Sequence, residues 1–182
     1  MLKKILLGLL VVIAAILLFA TTRPDTFHVE RTATIAAPPA AVYARVAKFA
    51  EWDAWSPWAK LDPGMTRSFG GTDGEVGATY DWSGNSKVGK GRMTFTALEP
   101  TSRVVIDLEF LEPMASTSAA TFTLAPQGEG THVTWAMDGP MNYLSKVMCL
   151  FMSMDRMIGG DFEKGLASLE TLAESAPAAA SS

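Results

Sequence analysis

The chain has one cysteine and two histidines in 182 residues, and that scarcity narrows the chemistry at the outset. A lone thiol closes no intramolecular disulfide, and no cluster of His, Cys, Asp or Glu has metal-ligand spacing. Neither a disulfide scaffold nor a zinc or iron site is expected, and no cofactor is implied. Cys149 lies in an apolar helical pattern and reads as a small buried hydrophobe. His28 and His132 fall on the polar phase of their strands and read as solvated. Positive charge is also short, with 15 basic against 19 acidic residues and a formal net charge of −4. Nucleic acid and anionic headgroups reward clustered positive charge, and no cluster is present. The stretch GNSKVGKG, residues 84–91, imitates a phosphate-binding loop but lacks the hydroxyl after the lysine, and RMTFTAL continues as a strand. It reads as a glycine-containing hairpin turn.

What the chain does have is a long apolar run. Lys3 and Lys4 precede an uncharged segment from Ile5 to Ala20, followed by Thr21, Thr22 and Arg23. The run lies between the length of a signal-peptide core and the roughly 20 residues of a membrane span. Leu18 and Phe19 stand where a signal peptidase needs small residues, so an uncleaved anchor is favoured over a cleaved signal. The positive-inside rule keeps the lysines in the cytoplasm and exports the body. The expected organisation is an anchor over residues 1–22, one domain over 23–174 and a disordered tail over 175–182.

Within the body, Phe27, Val29, Ala33 and Ile35 alternate with polar residues as in a half-buried strand, with Arg31 interrupting the apolar row. Pro38-Pro39 opens a helix that runs to about Glu51. Six strand-like runs follow near 66–71, 77–84, 91–100, 103–113, 116–126 and 130–140, joined by short turns. Such links predict an antiparallel meander. From Leu144 to about Ala173 the apolar period becomes three to four, which predicts one long helix weakened at Gly159-Gly160. One apolar sheet face and one apolar helix face imply an α+β domain in which a curved seven-stranded antiparallel sheet wraps the long C-terminal helix.

The inner phase of the strands is apolar throughout, whereas Arg92, Asp107, Glu109, His132 and Asp138 fall on the opposite phase. An inner face without titratable groups suits ligand binding better than acid–base chemistry. The candidate ligand-binding residues are Phe95, Ile106, Leu108, Phe110, Phe122, Trp135 and Met137 from the strands, with Met148, Phe151 and Met152 from the helix. Methionines at 137, 141, 148, 152, 154 and 157 fit either ordinary packing or a deformable pocket lining. In FAEWDAWSPW, residues 49–58, Trp52, Trp55 and Trp58 are expected to close one end of the sheet as a hydrophobic plug; ligand contact and membrane-interface contact are the alternatives. Polar exceptions inside the cavity would come from Arg31, from this aromatic connection, or from strand ends such as Asp81 and Glu112.

The order of elements, together with FHVERTATIAAPPAAVYARVAKFAEWDAWSPWAKLDP, GTHVTWAMDGP and DFEKGLASLETLAE, resembles the helix-grip fold of the START-related SRPBCC superfamily, in its bacterial polyketide cyclase/dehydrase-like branch. The resemblance covers about Phe27 to Ala173. It implies a hydrophobic-ligand or lipid binding or transfer domain, here tethered to a membrane. The alternatives are a cyclase or dehydratase-like enzyme and a non-enzymatic envelope interaction domain with a filled core. No catalytic residue carries over, because no single catalytic signature defines the superfamily. A cavity below roughly 300 Å³ favours the filled-core reading.

Overall fold

A computed structural model describes residues 1–175; the tail expected over 175–182 lies, apart from Ser175, outside the described residues. The chain opens with α1 (Leu2–Ala20), exposed along its length except at half-buried Ile16 and buried Ala20. The body follows as β1 (Thr26–Ile35), α2 (Pro39–Val46), a 3₁₀ turn at Phe49–Glu51 and α3 (Trp52–Trp55). Then come β2 (Thr66–Gly70), β3 (Thr79–Ser83), β4 (Lys90–Glu99), β5 (Arg103–Glu112), β6 (Ser116–Gln127) and β7 (Gly130–Pro140). Two helices close the chain, α4 (Tyr143–Cys149) and α5 (Met154–Glu174).

The seven strands form one curved antiparallel sheet in the order β1-β7-β6-β5-β4-β3-β2. The meander runs from β2 to β7, and β1 returns to pair with β7 from Thr26↔Pro140 to Ile35↔Thr131. Period-two patterning sets the inner face: Phe122 is opposite Trp135, Leu124 opposite Val133, and Phe95 opposite Ile106. A register shift between Phe95 and Ala97 in β4 moves Leu98, opposite Val104, into the inner row.

α5 lies across that face and buries Phe162, Leu166, Leu169 and Ala173. Phe162 stacks on Trp135 with ring centroids 4.2 Å apart and planes 3° from parallel. Arg31, the polar break in the β1 row, binds α5 instead of lipid or solvent. Its Nη1 donates to Asp155 Oδ1 and its Nε to Glu163 Oε1, each at 2.7 Å.

Two expectations about the helices are corrected. The apolar stripe from Leu144 is not one helix: it breaks between Cys149 and Met154 because two side chains start separate helices. Asn142 accepts from the Ser145 amide to cap α4, and Ser153 accepts from the Arg156 amide to cap α5. The break is therefore not at Gly159-Gly160, which lie inside α5. A Cβ on Gly159 would come within 2.2 Å of Arg31 Nη2, so this glycine makes room for the guanidinium. The other correction concerns α2, which ends at Val46 rather than near Glu51.

α4 packs beside α1 rather than on the sheet, so Cys149 is half-buried rather than buried. His28 is half-exposed yet paired, its Nδ1 2.7 Å from Asp138 Oδ1, and that carboxylate raises its pKa above the ordinary histidine value.

Candidate functional site

The aromatic connection is built locally. The Phe49 and Ala50 amides donate to the Asp73 carboxylate at 2.8 and 3.0 Å, which fixes the 3₁₀ turn that feeds α3. Pro57 then holds Ser56 in an extended conformation and ends the helix. Trp55 is fully buried and donates to the Arg45 carbonyl at 3.2 Å; Trp52 donates to the Val46 carbonyl at 3.1 Å. Trp58, partly buried, meets Trp135 and Phe162 edge-on. Membrane-interface contact by these indoles is thus corrected: they face inward.

Between this connection, the sheet and α5 lies a cavity of about 210 Å³. Trp52, Trp58 and Met65 form one wall, and Ile158 and Phe162 of α5 form another. The sheet contributes Tyr80, Trp82, Met93, Leu108, Phe110, Ala120, Trp135 and Met137. Among the strand residues expected at the site, Leu108, Phe110, Trp135 and Met137 reach the cavity. Phe95, Ile106 and Phe122 are completely buried in the core beyond it. Trp52 and Trp58 touch the cavity and Trp55 packs behind them against Phe122 and Trp135.

The helical candidates are a correction. Met148, Phe151 and Met152 are exposed and lie outside the cavity, because α4 and the turn after it leave the sheet. The deformable methionine lining does not form there; of the methionines at 137–157, only Met137 lines the cavity, while Met154 packs against the core.

The wall also holds polar groups that period-two reading of the strands passed over: Asp53, Ser56 and Lys87 come from the connection and the β3–β4 turn. Asp81 and Arg92 instead pair at 2.7 Å. Arg67 Nε lies 3.1 Å from Asp53 Oδ1 but off the hydrogen-bonding direction, so this is a charge contact. Burial pushes the Tyr80 phenol above its ordinary pKa, an effect that neighbouring Arg67 reduces. Tyr80 and Trp82 had a legible signal, since Ala78, Tyr80 and Trp82 alternate in GATYDWSG and all three are buried.

The β3–β4 turn, the imitation phosphate loop, is a hairpin closed by Gly84 N–H donating to the Gly89 carbonyl at 2.9 Å. Gly89 has φ +64°, and a Cβ there would lie 2.2 Å from the Glu112 carbonyl oxygen. Trp82 Nε1 donates to the Val88 carbonyl at 2.9 Å, which folds the turn over the cavity. Trp135 differs from these indoles: its Nε1 is buried without an acceptor among the described residues. Leaving such a donor unpaired costs about 1–3 kcal/mol.

Register locates the cavity along the sheet. Lys90 pairs with Glu112, and Thr26 with Pro140. Ala119 pairs with Asp138, so the β3–β4 and β5–β6 turns lie at the end of the sheet where β1 begins. The cavity is at that end of the sheet, and the solid core at the other. Among the described residues no group of three His, Cys, Asp or Glu is placed to hold a metal ion.

The fold recurs widely among solved structures. A protein from Chromobacterium violaceum, CV1439, aligns at 19% identity over 85% of this chain and all of its own, with a TM-score of 0.57. The di-domain ARO/CYC StfQ from the steffimycin biosynthetic pathway aligns at 13% identity and TM-score 0.59, over 82% of this chain and 51% of StfQ. Ara h 8.0201 aligns at 12% identity, over 83% of this chain and 99% of its own, with a TM-score of 0.57. At these identities the likeness shows the fold alone. No curated protein matches the chain. Residues 26–174 match one family over the whole body, and the chain belongs to the family described as polyketide cyclase / dehydrase and lipid transport.

Proposed function

We propose that this protein is a membrane-tethered domain that binds a small hydrophobic ligand, or one end of a longer one, in the cavity between sheet and α5. The observation that carries the reading is the cavity wall itself. Indoles, methionines and aliphatic side chains surround the space, and Trp135 Nε1, one of two buried donors without an acceptor among the described residues, belongs to that wall. An apolar ligand gains about 25 cal/mol per Å² of apolar surface removed from water. A ligand carbonyl or hydroxyl that reached Trp135 would also relieve the unpaired donor. The family description, which includes lipid transport, supports the same class of ligand.

Size limits the proposal. A cavity of about 210 Å³ is below the roughly 300 Å³ at which drug-sized sites begin. A whole diacyl lipid does not fit, so carriage of an intact lipid is not part of this proposal. The same volume favours a second reading, in which the core is effectively filled and the outer surface makes the functional contacts. A cyclase or dehydratase reading would rely on Asp53, Tyr80 and Lys87.

The tether is α1, whose apolar composition and length of about 28 Å match the hydrocarbon thickness of a bilayer. With Lys3 and Lys4 held in the cytoplasm, the body lies on the opposite side. Bromobenzene, small enough for the cavity and a heavy-atom quencher of indole, tests the proposal on the full chain in micelles. Saturable quenching is expected, and Ala120→Phe, which adds a ring to the cavity wall, should abolish it while the circular dichroism spectrum is unchanged. Purely linear quenching in the parent protein would favour the filled core.

A further inference from the structure

Large apolar side chains are exposed in two places at the same end of the body. On α4 and the turn after it, Leu144 is 54% exposed, Met148 45%, Phe151 72% and Met152 54%. On the β5–β6 side, Leu111 is 49% exposed and Met114 43%. Scattered single apolar residues are ordinary on a protein surface, whereas a clustered set marks a contact surface.

Three observations identify the contact. α4 packs beside α1, and the Tyr143 hydroxyl donates to the Leu17 carbonyl at 2.9 Å. Leu17 lies three residues before the end of α1, so the Tyr143 side chain meets α1 about 5 Å below that end at a rise of about 1.5 Å per residue. Lys146, nearly buried, is paired with Asp25 of the α1–β1 link, whose carboxyl it holds below its usual pKa range. The Met141 amide also donates to the Asp25 carbonyl at 2.7 Å. These ties fix α4 to the emerging anchor. The β5–β6 turn reaches the same level because β6 enters the sheet opposite the end of β7.

We propose that this end of the body is a second membrane-binding surface, in which Leu144, Met148, Phe151 and Met152, with Leu111 and Met114, sit in the boundary between headgroups and acyl chains. The occupant is the bilayer that holds α1, so the inference rests on reading α1 as a membrane span. The body then lies flat against the leaflet with its cavity next to lipid, instead of swinging on a flexible link. A small apolar ligand could pass from the acyl boundary into the cavity without crossing bulk water.

Site-directed spin labels on the full chain test this in phosphatidylethanolamine and phosphatidylglycerol vesicles. In a Cys149→Ser background, single cysteines are placed at Phe151, Met114, Leu10 and Glu129, the last in the β6–β7 turn at the far end of the sheet. Labels at 151 and 114 are expected to collide with oxygen in preference to a water-soluble nickel complex, as the Leu10 label does, while Glu129 shows the reverse. Aqueous behaviour at 151 and 114 with Leu10 in lipid overturns the second surface and leaves the span reading standing. Aqueous behaviour at Leu10 overturns both. Shielding of 151 and 114 from oxygen and nickel alike would mark a protein partner there, and overturns the proposal as well.

Discussion

Two glycines in α5 separate packing that yields from packing that does not. A Cβ on Gly159 meets the end of Arg31, a flexible side chain, so its cost is limited to the ion pairs it displaces. A Cβ on Gly165 would lie 2.7 Å from Cζ3 of Trp135 and 3.2 Å from Cδ of Pro57. Trp135 is held on both faces, being stacked between Phe122 at 4.8 Å and Phe162 at 4.2 Å. Overpacking of this kind costs about 1–3 kcal/mol, against the roughly 1 kcal/mol that alanine gains over glycine in a helix. Gly165→Ala is expected to lower the urea midpoint, and Gly159→Ala to lower it less or not at all. The sequence placed both glycines in a helix but gave no sign of what they face. That information lies in β1 and β7, far away along the chain.

At the scale of elements, the joint between β1 and α5 depends on charge. Arg31 holds Asp155 below its ordinary pKa, and its own pKa is raised mainly by hydrogen bonds to Asp155 and Glu163. A carboxylate with a lowered folded pKa contributes stability that is fully present above its unfolded value of about 3.8 and is lost as pH falls through the folded value. Urea midpoints measured in micelles should therefore fall on acidification through that window, and Asp155→Asn should flatten this part of the profile. An unchanged slope in the variant would show that Asp155 is not paired in solution. Arg31 was visible in the sequence as an interruption of an apolar row, but its two partners were not. The caps that divide α4 from α5 were legible, since Asn142 and Ser153 are favourable N-cap residues. The apolar stripe runs on across the break between them, and reading the stripe alone placed Met148, Phe151 and Met152 in the cavity instead of on the surface. Strands were the more legible elements, because a half-buried strand states its period in a few residues and short turns leave little choice of pairing partner.

At the scale of the whole molecule, the sheet order and the crossing of α5 follow from one apolar sheet face, one apolar helix face and short connections, and all of these can be read along the chain. The size of the cavity cannot. It is what remains after Trp52, Trp58, Trp135 and Phe162 have packed against one another, a difference between large volumes that patterning does not specify. Of the polar wall groups, Asp53 and Ser56 belong to the aromatic connection, an expected source, whereas Lys87 was hidden for a related reason. It reaches the site from the β3–β4 turn, whose path depends on contacts such as Asp62 accepting from the Asn85 amide at 2.7 Å. The same packing determines whether the protein holds a ligand or only its own side chains. Native mass spectrometry of the full chain, released from nanodiscs cut from its own membrane, decides this most directly. The account predicts a stoichiometric adduct of a small apolar molecule that is absent from Ala120→Phe. A parent protein that carries no adduct and takes up none when small hydrophobic compounds are added would contradict it.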